Sequence, residues 1–158
     1  MFRKMRRFKQ EISKEECIEI LTNEKRGVLS VIGDDGYPYG IPLNHYYDKE
    51  KNCLFFHGAK EGHKVDAIKA NSKVSYCVYE KGTQKEGHWS LNVRSVIVFG
   101  KASFVTDLEE CKVIGSKIWW KFNQDEKELE EEIKHSLSRV LCTRVDIEHM
   151  TGKLVNES

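Results

Sequence analysis

Leu54–Lys64 reads LFFHGAKEGHK. In extended form the stretch puts Cys53, Phe55 and His57 on one face and Leu54 and Phe56 on the other. Small residues then replace bulky ones, while His57, His63 and Lys64 gather cationic character around Gly58, Ala59 and Gly62. Glycine lets a chain turn sharply and approach a ligand closely. A helix that opens after such a turn leaves its first N–H groups unpaired, with positive partial charge. Those groups, Lys64 and one or both histidines would make a compact anion site suited to phosphate. An ordinary strand-to-helix turn with solvated Lys and His is the competing reading. The co-occurrence of cations with small residues favours the anion.

Around this stretch the chain reads mainly as strands. SKEECIEIL has Ser13 and Glu16 in capping-box spacing, with Cys17, Ile20 and Leu21 on one helical face, and Gly27 is read as its stop. GVLSVIG, the turn DDG and the extended YPYGIPLNHYY follow. Pro38 and Pro42 lack the donors a central ladder needs, so that strand belongs at an edge or a bulge. DKEKN turns the chain into a strand over Cys53–His57. The short helix after His57 buries Val65 and Ile68 and ends at Asn71.

KVSYCVYE alternates as a half-buried strand, KGTQKEG is a polar loop, and NVRSVIVFGKASFV is a long strand with a bend or bulge at Gly100. Thr106 and Glu109 read as a second capping box, opening a helix through Trp119 and Trp120. DEKELEEEIKHSLS is a charged helix or helical loop with a solvated face, VLCTRVDIE a strand, and HMTGKL a short tail. Strands at this spacing, mostly joined by turns, predict an antiparallel barrel with peripheral helices. Its 158 residues predict one domain spanning 1–158.

Composition narrows the function. Hydrophobic residues are 39% and charged residues 32%, the balance of a soluble globular protein. A net charge of +1 offers no global field for nucleic acid. No apolar run follows the basic start MFRKMRR, which argues against a secretory signal, and no segment is long enough to span a membrane. The cytoplasm is therefore the expected compartment. Five widely spaced cysteines without a CxxC pair read as buried free thiols, and no ligand set at metal spacing accompanies His57, Cys53 and His63. The chain shows no Ser-His-Asp or paired-carboxylate pattern, and no GxGxxG for a nicotinamide site of its own.

PYGIPLNHYYD, then LFFHGAKEGHKVDAI, then VRSVIVFGKA together resemble the flavoproteins related to pyridoxamine 5′-phosphate oxidase. More narrowly they are similar to its 5-nitroimidazole resistance branch. The resemblance runs from about Arg7 to the terminal TGK, and HGAxxGxK is its most specific part. It implies a six-stranded split β-barrel, a homodimer, and FMN in clefts between the subunits. His57, Ala59, Gly62 and Lys64 match the positions that hold the flavin phosphate. Pro42, Leu43 and Asn44 match the strand along the isoalloxazine, and Ser95 and Val96 a strand that helps line the site. His45 departs from the pattern, which places an ionisable group either near the flavin or at solvent. Arg94 either reaches a phosphate or substrate or pairs with a surface acid. Trp119 and Trp120 share a helix with Ile118, so at least one is expected in the core.

Two classes of function follow. One is an FMN-dependent reductase of small oxidised compounds such as nitroaromatics, with NAD(P)H as a possible donor. The other is a flavin- or haem-binding protein without turnover, for storage or sensing. True pyridoxamine phosphate oxidase activity needs a second cationic site near the C-terminus, and the sequence shows no convincing one.

Overall fold

A computed structural model describes residues 1–156. A two-residue strand β1 (Glu11–Ile12) precedes helix α1 (Lys14–Asn23), whose capping box closes both ways: Glu16 N–H donates to Ser13 Oγ, and Ser13 N–H to Glu16 Oε2. The chain continues as β2 (Arg26–Ile32), β3 (Pro38–Asn44), β4 (Tyr46–Asp48) and β5 (Cys53–Ala59), then α2 (His63–Ala70) and β6 (Lys73–Tyr79). β7 (Thr83–Gln84), β8 (Leu91–Val105), α3 (Leu108–Trp119), α4 (Glu126–Ser136) and β9 (Val140–Asn156) complete it.

The strands form one antiparallel sheet in the order β3-β2-β6-β8-β9-β5-β4, with β1 added to β9 and β7 to β8. The sheet curls until β3 approaches β5, giving a split barrel. β3 lies at an edge of the order, as its prolines require. Nine strands are present among the described residues rather than six. Two of the extra ones, β1 and β7, are two-residue additions to the long strands, and β4 is a three-residue edge strand.

Inside the barrel Leu29, Val31, Leu54, Phe56, Tyr76, Val78, Val96 and Val98 pack together, closed at one side by Cys17, Ile20 and Leu21 of α1. A second cluster forms where Cys53 and Phe55, on the other face of β5, meet Cys111, Ile114 and Ile118 of α3. β5 is thus buried on both faces, which explains the uninterrupted apolar run CLFF. Each such side chain contributes about 1.5–3 kcal/mol by burial.

Four local readings need correction. Gly27 does not stop α1, which ends at Asn23, but lies in β2. There a Cβ would stand 2.7 Å from the Tyr76 ring and 2.5 Å from Cys77 O, so only glycine admits the neighbouring strand. The cap of α3 is Asp107, whose side chain accepts from Glu110 N–H at 2.7 Å, because β8 stays paired through Val105 and Thr106 is still leaving it. HMTGKL is no tail: it extends β9 and pairs with β8 and β1. KGTQKEG contains β7. The break at Gly100 does occur, with the ladder slipping from Phe99↔His149 to Gly100↔Ile147, so Glu148 is the extra residue.

Candidate functional site

The segment His57–Lys64 folds into a cradle where β5 hands over to α2. Gly62 is the residue before the helix and has φ +129°, a conformation that L side chains rarely adopt. Among the described residues no side chain caps α2, which leaves its first N–H groups without a side-chain acceptor there. The Lys64 side chain folds back over Gly58, where a Cβ would stand 2.7 Å from the Lys64 Nζ. This ammonium has neither an ion-pair nor a hydrogen-bond partner among the described residues, and partial burial lowers its pKa from the ordinary lysine value. His57 emerges beside it, its pKa also lowered, first by desolvation and then by the Lys64 charge. The arrangement is a half-buried cation with no ion-pair partner among the described residues, at the positive end of a helix.

The two histidines of the motif part company. His63 stacks on Tyr39 with ring centroids 4.3 Å apart, and its Nε2 accepts from Asp34 N–H at 3.3 Å. It props the β2–β3 turn, leaving His57 as the histidine beside Lys64. Ala59 is exposed at the end of β5. Pro42, Leu43 and Asn44 lie along the edge strand β3, and Asn44 Oδ1 is held by Arg26 Nε at 2.8 Å. Ser95 and Val96 lie on β8, separated from β3 by β2 and β6. The Val96 side chain is fully buried in the core and offers a ligand only its backbone; Ser95 is on the opposite, outer face.

The structure also places His45, Arg94 and the tryptophan pair, whose roles the sequence left open. His45 neither faces solvent nor lines an open site: it is 0% exposed. Its Nε2–H donates to Leu21 O at 2.7 Å, and its Nδ1 lies 2.8 Å from the Tyr76 hydroxyl. Burial lowers its pKa to about 4. Arg94 takes the structural option, with a two-pronged pair to Glu80 (2.6 and 3.0 Å) and further contacts to Glu19 and Glu16 of α1. Trp119 is half-buried, with an indole N–H that finds no acceptor among the described residues, whereas Trp120 is exposed.

Sequence reading missed a cavity of about 250 Å3 beside the cradle. The barrel contributes Asn44 and His57 to its wall; α3, α4 and the segments that follow them contribute Cys111, Gly115, Ile118, Phe122, Leu129 and Leu137 among others. Lys121 ties this helical cover down. Its Nζ donates to Glu24 O at 2.7 Å and His45 O at 2.9 Å, and burial pushes its pKa down to about 8. No local signal marks Lys121, because both carbonyls lie more than seventy residues away along the chain.

The description of pyridoxamine 5′-phosphate oxidase matches residues 13–154. The chain belongs to this family. No curated protein sequence is significantly similar to it. Among solved structures, this oxidase-family chain resembles a candidate 5-nitroimidazole antibiotic resistance protein from Bacteroides thetaiotaomicron. The TM-score is 0.79 at 22% identity, over 92% of this chain and 87% of that one. A conserved hypothetical protein from Mycobacterium tuberculosis gives 0.80 at 16% identity, over 95% and 90%. An FAD-binding protein from Mesorhizobium loti gives 0.68 at 26% identity, over 92% and 97%.

Proposed function

We propose that this oxidase-family chain binds FMN and uses it to reduce small oxidised compounds, nitroaromatics such as nitroimidazoles among them. The observation that carries the reading is Lys64: a half-buried ammonium over Gly58, without a partner among the described residues, beside a helix start that none of their side chains caps. A phosphate satisfies all three features at once. The free edge of β3 leaves alternate backbone groups of Pro42–Asn44 available to a flat ring system. The likeness to a candidate nitroimidazole resistance protein and to an FAD-binding protein supports a flavin.

In this reading Lys64 and the first N–H groups of α2 bind the phosphate, and Asn44, steadied by Arg26, orients the ring edge. His57, kept largely uncharged by crowding and by Lys64, offers a ring nitrogen to a substrate in the adjoining cavity. The apolar wall from α3 and α4 excludes water there. A bound reduced flavin supplies two electrons and a proton, which with one further proton take an aromatic nitro group to nitroso and water. A reduced nicotinamide is the natural two-electron donor.

The outer sheet face supports a homodimer. Ile32, Tyr79, Ile97 and Phe99 are exposed there, and covering them with a second copy would place Ser95 at the interface. Five free cysteines among the described residues suit a reducing cytoplasm.

The test is a visible spectrum of the purified protein with FMN, dithionite and NADPH, followed by addition of metronidazole. Flavin absorbance that bleaches with NADPH and returns on adding the nitro compound supports the reductase. Bleaching by dithionite alone, with no return, supports a flavin carrier without turnover. No binding of FMN refutes both.

A further inference from the structure

Gly115 stands mid-helix in α3, on the stripe with Cys111, Ile118 and Phe122 that borders the cavity. A glycine there weakens a helix relative to alanine. The usual reasons to keep one are missing. Gly115 is not among the positive-φ glycines, and a Cβ built on it meets no heavy atom within 4 Å among the described residues. Its absent side chain is cavity space.

The chemistry of the wall is lopsided. Ile118, Phe122, Leu129, Ile133 and Leu137 supply most of the apolar wall from the helical side, where Asn123 and Ser136 are polar, and Val140 adds to it from β9. Asn44 and His57 bring polar atoms from the barrel side. The two charged helix residues that border it, Lys112 and Glu132, are of opposite sign, so neither an anion nor a cation is favoured. A volume of about 250 Å3 is below the usual range for drug-sized ligands and suits one compact ring.

We propose that this cavity receives the oxidised substrate as a compact, neutral aromatic molecule with its polar end toward Asn44 and His57, and that Gly115 sets the size admitted. The inference rests on the flavin reading, because Asn44 and His57 belong both to the cavity wall and to the segments that face the cofactor.

The probe is nitrobenzene, followed by ligand-observed saturation-transfer NMR with wild type, Gly115→Ala and Gly115→Leu, each with and without FMN. Wild type and Gly115→Ala should bind it. Gly115→Leu, whose side chain takes up the cavity, should bind at least tenfold more weakly, with FMN affinity and melting temperature preserved. Should that variant fail to fold, Ile133→Phe narrows the same cavity from α4. Equal nitrobenzene binding by wild type and the narrowed variant overturns the assignment, as does no binding by wild type. Loss of FMN affinity in Gly115→Leu also overturns it, since the flavin itself would then occupy the space. Absence of FMN binding in wild type, with nitrobenzene binding still dependent on Gly115, refutes the flavin and leaves the cavity assignment supported.

Discussion

His45 Nδ1 lies 2.8 Å from the hydroxyl of Tyr76, and both side chains are sealed from solvent. Because Leu21 O can only accept, the proton of the neutral imidazole sits on Nε2, and Nδ1 competes with Leu43 O for the single hydroxyl proton of Tyr76. Charging this ring requires desolvating a cation, so its pKa falls to about 4 from an ordinary 6.5. The unfolded chain therefore takes up the proton first, and stability is lost as pH falls from 6.5 toward 4. By pH 5 the loss from this residue is roughly 2 kcal/mol. Urea melts at pH 7 and pH 5 measure it, and His45→Gln should flatten that difference. An equal pH dependence in the variant would count against a buried neutral histidine.

The Tyr76 hydroxyl is the hub of the same network, placed against Gly27, His45 and Leu43. Tyr76→Phe keeps the ring packing and removes the oxygen, leaving buried groups without their partner. Stability should fall by about 1–3 kcal/mol. Chemical denaturation with an unchanged slope is the check.

Gly27 makes the close approach of β2 to β6 possible. Gly27→Ala drives a methyl against Cys77 O and the Tyr76 ring, neither of which is the free end of a flexible chain. We expect a cost of about 1–3 kcal/mol, the range for overpacking. A thermal melt at or above wild type would show that the strands can separate without penalty.

Lys64→Ala removes the proposed phosphate contact. One charge-assisted hydrogen bond is worth about 1.5–3 kcal/mol, so FMN affinity should drop roughly ten- to a hundredfold. Riboflavin affinity should hardly move, and the fold should persist because Lys64 has no partner among the described residues to lose. Quenching of flavin fluorescence in both titrations reads the result. Equal loss of both ligands would make Lys64 a structural residue.

Ile97→Asp puts a charge on the exposed apolar face of β8. A stable interface buries on the order of 1,200–2,000 Å2 with an uncharged centre. Light scattering should therefore report a dimer for wild type and a monomer for the variant. A flavin-loaded monomeric wild type would refute the shared-site arrangement.

The features legible in the letters obey short-range rules. Ser13 and Glu16 close a capping box because three residues is one helical turn. Pro38 and Pro42 keep β3 at an edge because they lack N–H donors. The step at Gly100 was legible because an isolated glycine inside a long strand pattern marks a bulge or a close backbone approach, and the ladder does slip there. The cradle of Gly58, Gly62 and Lys64 spans a few residues, so the clustering of small residues with a cation is visible in order and composition alone.

Tertiary structure decided whatever depends on partners far along the chain. His45 became a core residue because Leu21 and Tyr76, 24 and 31 residues away, satisfy both of its nitrogens. Arg94 was drawn from the possible ligand site because Glu80 and the acids of α1 meet it across the fold. HMTGKL became part of β9 because β8 and β1 lie beside it and pair its backbone. The cavity before Gly115 exists only because α3 and α4 close over β5, with Lys121 fastened to two distant carbonyls. Periodicity says which face of an element is apolar, but the free energy of burying a polar group depends on which partner arrives, and that is set by three-dimensional packing.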